Sequence, residues 1–291
     1  MTDFKLSTLN FQLSTLCNAS PITHHGSHIT ILLSIITVTY NSKDVITECL
    51  SSLEAKLENI SSEIIVIDNH STDNTVGIIK EQFPSVHVIE NIKNEGFAAA
   101  CNQGIKNSSG DFLLFLNPDI IAGEKFSFPP LFQYMNEHKN TGLLGCKLIN
   151  RDGTIQTSCR KFPDIITVMF KRISFFQIFP YAKKRVEEYI KPLSNYEEIT
   201  SVDWLLGAFL FIRREIIDKI GHFDERFYIY FEDVDFCRRV HYGGYNVCYY
   251  PLMEVIHHHK RESAKGFNLL LLVHIWSGIK YFWKWTFFRN A

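Results

Sequence analysis

An α/β fold, a mostly parallel sheet covered by helices on both faces, is what three observations in this sequence predict. Four short runs are apolar nearly throughout: LLSIITVTY (32–40), EIIVIDN (63–69), VHVIEN (86–91) and DFLLFLN (111–117). The first three are each followed by a helical stretch. None shows clean alternation of polar and apolar residues, which is how strands read when both their faces are buried. At 291 residues the chain can bury a core of that kind.

The elements follow in order. Asn41-Ser42 offers a cap for a helix through KDVITECLSSLEAKL, STDNTVGIIKEQF reads as turn and helix, and NEGFAAACNQGIKNSSG as a helix closed by Gly110. Pro118 cannot donate a ladder hydrogen bond, so the fourth strand ends near Asn117. Beyond it the order loosens: a helix and a short strand within 125–149, a basic and aromatic stretch at 160–191, then VDWLLGAFLFIRREIIDKIG as strand and helix. FDERFYIYFEDVDFCRRVHYGGY reads as loop and helix. We divide the chain into a weakly structured extension (1–30), one domain (31–265, with halves 31–120 and 121–265) and a C-terminal helix (266–291).

A net charge of −1 predicts no bulk attraction to nucleic acid. Seven scattered cysteines without a C-x-x-C pair, and no signal-peptide pattern, suit reduced thiols and a cytoplasmic setting. From Phe267 to Ile279 no residue carries a fixed charge, but 13 residues fall short of the roughly 20 needed to cross a bilayer. On a helix His274, Ser277, Lys280 and Lys284 share one side, with apolar residues around the rest. Two readings stand: a helix lying in the membrane interface, peripheral on the inner face, or a helix packed on the domain with its lysines in water.

In open α/β sheets ligands bind beyond the carboxyl ends of the strands. Thr39-Tyr40-Asn41, Asp68-Asn69 and Asn117-Pro118-Asp119 all fall there. Each is also an ordinary turn or cap; their coincidence at one edge points to a site. The turn after the first strand, T-Y-N-S-K-D, has none of the glycines of a dinucleotide fold, and no P-loop occurs. A nucleotide diphosphate bound here needs other neutralisation, ordinarily a divalent cation, and Asp119 is placed to hold one.

TVTYNS, IVIDNHSTDNT, NEGFAAACNQG, LFLNPD, WLLGAFLFIRR and FDERFYIYFEDVDFCRR occur in that order. Together they resemble the family 2 inverting glycosyltransferases, in particular the bacterial rhamnosyltransferase-like branch, from about Leu33 to the C-terminal helix. The resemblance implies a GT-A fold and a nucleotide-sugar donor. It makes Asp68 the acid that reads the base edge, with Thr39, Tyr40 and Asn41 framing the pocket, and Asn94, Gly96 and Phe97 lining the donor site. Asp119 matches the last acid of the metal-binding D-x-D element, whose first position is Asn117 here, one negative charge fewer; Mg²⁺ or Mn²⁺ is the implied ion. Asp233 is implied as general base, with Glu232 the near alternative. A salt-bridged helix start would equally explain the acids of EDVD beside Arg238 and Arg239. His257, Arg261 and Ser263 fit the branch's spacing, which suggests a metal or diphosphate contact for His257 and positive charge near the leaving group for Arg261. Trp204, Gly207 and Ala208 match the acceptor-side strand, the tryptophan stacking on a sugar or filling core.

The implied reaction transfers a sugar, rhamnose from dTDP-rhamnose as first choice, to a lipid-linked or polysaccharide acceptor in surface-glycan synthesis. The basic 160–191 segment is the place for a lipid diphosphate to dock, or else a solvated hairpin. A UDP-hexose donor (galactose, glucose or N-acetylhexosamine) on the same fold is the second reading. A nucleotidyltransferase would carry a Gly-rich, basic first loop, absent here. A non-catalytic sugar-binding relic would have no reason to keep Asp68, Asp119 and Asp233 together.

Overall fold

The computed structural model describes residues 31–258 and 269–287. In chain order the first half holds β1 (Leu33–Thr39), α1 (Lys43–Glu54), β2 (Ser62–Asp68), α2 (Thr75–Gln82), β3 (His87–Glu90), α3 (Phe97–Lys106), β4 (Phe112–Leu116) and β5 (Ile120–Ile121). The second half adds α4 (Pro129–Glu137), β6 (Thr141–Ile149), β7 (Ile155–Gln156), β8 (Cys159–Arg160), α5 (Ile165–Arg172), α6 (Pro180–Ile190), β9 (Thr200–Ser201) and β10 (Trp204–Leu205). It closes with β11 (Phe209–Arg213), α7 (Arg214–Ile220), α8 (Glu232–Tyr242), β12 (Asn246–His257) and α9 (Leu269–Phe287).

The main sheet runs β3-β2-β1-β4-β11-β6-β12-β5. Strands β1 to β4 are parallel, as the apolar runs predict. Antiparallel β11 then joins β4 to β6, and β12 resumes parallel pairing on β6. Alternate residues of β4 feed two cores. Phe112, Leu114 and Leu116 pack on the α1 and α4 side; Leu113 and Phe115 pack on the α3, α7 and α8 side. Burial on both faces explains why these strands do not alternate in sequence. The six cysteines among the described residues are buried free thiols.

Three expectations are corrected. Ser42 makes no side-chain cap of α1. The first amides of that helix bond to the following loop instead, Ser42 N to Thr75 Oγ1 (2.9 Å) and Lys43 N to Asp73 Oδ2 (3.1 Å). Asn41, in the left-handed region (φ 53°), turns its Oδ1 to Thr72 N at 2.8 Å. Second, the long strand β12 has no counterpart in the sequence reading. Pro251 interrupts its apolar run, and the register slips between Tyr250 and Glu254 to accommodate it.

Third, α9 packs on the domain with its lysines inward. Lys284 Nζ reaches Asp235 (2.6 Å) and Asp224 (2.8 Å), Lys280 Nζ donates to the Arg226 carbonyl (2.6 Å), and Ser277 Oγ to that of Ile229 (3.0 Å). Tyr281 is fully buried, its hydroxyl accepting from Arg238 at 2.8 Å. Of the reading as a helix packed on the domain with its lysines in water, the packing is seen and the placement of the lysines is corrected. Arg261 and the extension 1–30 lie outside the described residues.

Candidate active site

The donor side is built from short bonds between neighbouring strand ends. Register pairs Thr39 with Asp68, and the Thr39 hydroxyl donates to Asp68 Oδ1 at 2.8 Å. Ser71 donates its hydroxyl to Oδ1 (2.6 Å) and its amide to Oδ2 (2.8 Å). The buried Asp68 thus anchors an Asx turn, with one edge fixed by β1. Asn69 Nδ2 donates to the Gly96 carbonyl at 3.1 Å, and Gly96 N to Asn94 Oδ1 at 3.0 Å. Only glycine fits at position 96: φ is 89°, and a Cβ would come within 2.6 Å of the Tyr228 carbonyl. That carbonyl accepts from Phe97 N at 2.7 Å, which ties the donor side to the loop preceding α8. Tyr40 is exposed beside these groups.

At the end of β4, Asn117 N donates to Ala208 O at 3.0 Å. Asp119 follows, and β5 brings it to the end of β12, where His257 pairs with Ile120. His257 Nε2 lies 3.3 Å from Asp119 Oδ1. On the other side of the ring, Nδ1 is 2.8 Å from Gln156 Oε1, while Gln156 Nε2 donates to the His257 carbonyl (2.8 Å) and to Asn150 Oδ1 (2.5 Å). With its amide nitrogen committed to two acceptors, Gln156 presents oxygen to the ring, which assigns the ring proton to Nδ1. In the neutral ring the lone pair is then on Nε2, the nitrogen nearer Asp119. Imidazole nitrogen, carboxylate oxygen and a partner fixing the tautomer form a donor set that fits a divalent ion. Among the described residues no group of three or more His, Cys, Asp or Glu is placed to hold a metal. Further ligands would come from elsewhere, such as a bound diphosphate.

The acids at the start of α8 separate by burial. Asp233 Oδ2 accepts from Gly207 N at 3.0 Å and Oδ1 from Val234 N at 2.8 Å. Gly207 contributes its amide rather than its lack of a side chain, since a Cβ there would meet Asp233 only at ordinary contact distance. Burial pushes the Asp233 carboxyl up to about 6, with the two amides and the charge of Arg160 opposing. Glu232 is deeper. Its Oε2 has no hydrogen-bond partner among the described residues, and burial, then the neighbouring Asp233, raises its pKa well above the usual carboxylate range. Burial therefore disfavours the charged form more strongly at Glu232, and Asp233, held by two amides, is the member of the pair better suited to carry charge. Asp235 points elsewhere, held by Arg239 (2.9 Å) and Lys284.

Before α8, Tyr230 and Phe231 both adopt the left-handed region, φ 69° each. For bulky residues this costs about 1–3 kcal/mol apiece and persists only when the surroundings impose it. Helix α9 imposes it. His274 stacks on Tyr230 at 4.6 Å, and Tyr281 lies 5.3 Å from the Phe231 ring. Trp204 is core, 5% exposed, its Nε1 donating to Lys161 O at 2.7 Å with Arg160 over its ring. It cannot stack on a sugar in this conformation; it supports the strand pair that delivers Gly207. Two sets of contacts result: one joins Asn69, the neighbour of Asp68, to Gly96 and Tyr228, and the other joins Asp233 through Gly207 and Ala208 to Asn117, with Asp119 beside His257.

The profile of the family described as Glycosyl transferase family 2 matches residues 34–221. The chain belongs to that family. This glycosyltransferase is 27% identical over 250 residues to N-acetylglucosaminyl-diphospho-decaprenol L-rhamnosyltransferase of Mycobacterium tuberculosis, covering 81% of this chain and 79% of the relative. It is 25% identical to rhamnosyltransferase WbbL of Escherichia coli K12, covering 86% and 92%. The glycosyltransferase also superposes on a solved structure of GalNAc-T7 with UDP, GalNAc and Mn²⁺, with a TM-score of 0.60 and 16% identity, over 86% of this chain and 48% of that one. The last likeness concerns the fold, which is GT-A. These relatives make it a member of the rhamnosyltransferase-like branch.

Sequence reasoning did not find Gln156, Tyr228 or Ser71. Tyr228 lies within a motif that flagged the acids, so its neighbourhood was visible though its carbonyl's task was not. Gln156 sits 101 residues from His257 in an unremarkable TIQT, with no signal of its own.

Proposed function

We propose that this glycosyltransferase inverts the anomeric centre of a nucleotide-activated sugar, dTDP-rhamnose in the first instance, while transferring it to a lipid-linked saccharide or growing surface glycan. The observation that carries the reading is the placement of Asp233. Its carboxylate is fixed by two backbone amides, Val234 N within α8 and Gly207 N in the turn between β10 and β11, where the next residue, Ala208, accepts from Asn117, two residues before Asp119. Asp233 takes the proton from the acceptor hydroxyl as that oxygen attacks the anomeric carbon. Displacement from the face opposite the diphosphate inverts the centre. Burial raises the basicity of Asp233, and Glu232, buried beside it, is the alternative base. On the donor side Asp68 and Thr39 present a hydrogen-bonding edge to the base, Tyr40 and Asn41 border it, and Asn94, Gly96, Phe97 and Asn117 line the sugar-diphosphate path. Asp119 and His257 would hold Mg²⁺ or Mn²⁺, which when bound neutralises charge on the departing diphosphate. Both rhamnosyltransferase relatives support the donor, and the decaprenol-linked relative supports a polyprenyl acceptor, hence work at the inner face of the cytoplasmic membrane. The basic hairpin of α5 and α6 is the proposed docking place for that lipid diphosphate.

Titrating purified protein with dTDP-rhamnose, UDP-galactose, UDP-glucose and UDP-N-acetylglucosamine, with and without Mn²⁺, tests donor and metal together. Tightest binding of dTDP-rhamnose, strengthened by Mn²⁺ and made insensitive to it in Asp119→Ala, is expected. Preference for a UDP-hexose overturns the donor, and wild-type affinity that ignores Mn²⁺ overturns the metal.

A further inference from the structure

We propose that α9 seats the enzyme on an anionic phospholipid surface through its outer face, lying in the interface. This deepens the functional reading above and rests on it for why a membrane is needed, though not for the binding itself. A helix packed on a domain ordinarily turns its apolar stripe inward and its charges to water. Helix α9 departs from this: beside Tyr281, Phe282 and Trp285, its protein side also uses Ser277, Lys280 and Lys284. Leu272, Ile275, Trp276, Ile279 and Trp283 face out, each between 47% and 63% exposed. Their spacing of three, one, three and four residues keeps them on one stripe, roughly 16 Å long at the helical rise. Five large apolar side chains in a row are more than the scattered exposure usual for a soluble surface.

Charge decides between occupants. Leaving aside Lys280 and Lys284, which are used on the protein side, the stretches on either side of α9 in sequence, 259–268 and 288–291, contain Lys260, Arg261, Lys265 and Arg289 against Glu262 alone, in a chain whose net charge is −1. A second copy of the chain would set these cationic stretches against themselves. Anionic headgroups would complement them, and tryptophan is the residue favoured at that depth. No helix of the described residues is long and apolar enough to cross a membrane, so the stripe lies on the surface. Arg238 sits 4.6 Å from the Trp285 ring and 5.1 Å from that of Phe162, which leads into the α5–α6 hairpin with its exposed Phe175 and Ile178.

The full-length protein is floated with vesicles of phosphatidylcholine, with or without about 30 mol% phosphatidylglycerol. Wild type is expected to float with the anionic vesicles and to release them at high salt. In Trp276→Ser/Ile279→Ser the partition coefficient should fall roughly tenfold or more, with the melting midpoint and nucleotide-sugar binding unchanged. Without any substitution, tryptophan emission should shift blue on anionic vesicles and be quenched by brominated lipid. A wild type that stays unbound, or a double variant that floats equally well, overturns the proposal. So does a wild-type dimer that the double variant converts to monomer in sedimentation, which would assign the stripe to self-association. Flotation without binding of any nucleotide sugar would instead indict the functional reading and leave the docking surface standing.

Discussion

The proposed donor and acceptor rims of the site are made in opposite ways. On the donor rim Asp68, Asn69, Asn94 and Gly96 are satisfied by residues of the same half, in turns that suit Asn, Asp and Gly. On the acceptor rim two bulky aromatics sit in a left-handed turn, a buried carboxyl has an unpartnered oxygen, and the whole is clamped by a helix from the end of the chain. The donor rim is preorganised by local chemistry. The acceptor rim stores strain, so its geometry depends on a distant element. That difference predicts which substitutions act on chemistry, which on folding and which on ligand affinity alone.

The sharpest separation comes from Asp233→Asn. The amide keeps the shape but cannot take a proton at neutral pH, so kcat should fall by about 10²–10⁴ while donor affinity is retained. Because burial raises the Asp233 carboxyl to about 6, and the active form is the ionised one, wild-type kcat/KM should rise with pH through about 6 and then level off. The variant should lack that limb. Near-wild-type turnover by Asp233→Asn would move the base elsewhere and remove the functional reason for the strained turn.

Next in size is Lys284→Met, which leaves the fully buried Asp235 with Arg239 and Trp285 but without its third partner. Breaking such a pair costs about 3 kcal/mol, the low end for buried ions, because two partners remain. The melting midpoint should drop by roughly 5–10 °C. Turnover should fall with it as the turn before α8 loosens, while nucleotide-sugar affinity, set on the other rim, should hold. Equal losses on both rims would show that the rims are not independent.

The same contrast explains what the sequence made legible. Strands β1 to β4 announce themselves because both faces are buried, and the donor rim because its turns use residues with strong local preferences. Strand β12 hides behind Pro251 and a register slip. The helical wheel of α9 separates two stripes correctly, yet which stripe meets the protein depends on Asp224 and Asp235, some fifty to sixty residues away. Trp204 looked available to a sugar because an aromatic in a motif carries no mark of burial. Local chemistry can be read along the chain; pairings across it need the fold.

Gln156→Ala has the smallest expected effect and tests where the metal side belongs. Asp119 stands in the turn before β5 and His257 at the end of β12, in different halves of the chain, and Gln156 fixes the imidazole tautomer through a bond of 2.8 Å. Losing it frees the ring to carry its proton on Nε2, the atom facing Asp119, which would have to be displaced before an ion could bind. Outer-shell partners of this kind are worth about 10–100-fold in metal affinity. The apparent Mn²⁺ requirement for donor binding should therefore rise by about that factor, with saturating Mn²⁺ restoring both affinity and turnover. Restoration would class the metal side with the preorganised donor rim, because an excess of ligand can offset a lost orienting bond. Failure to restore turnover at any Mn²⁺ concentration would show instead that Gln156 supports the strained rim, through the His257 carbonyl it also holds.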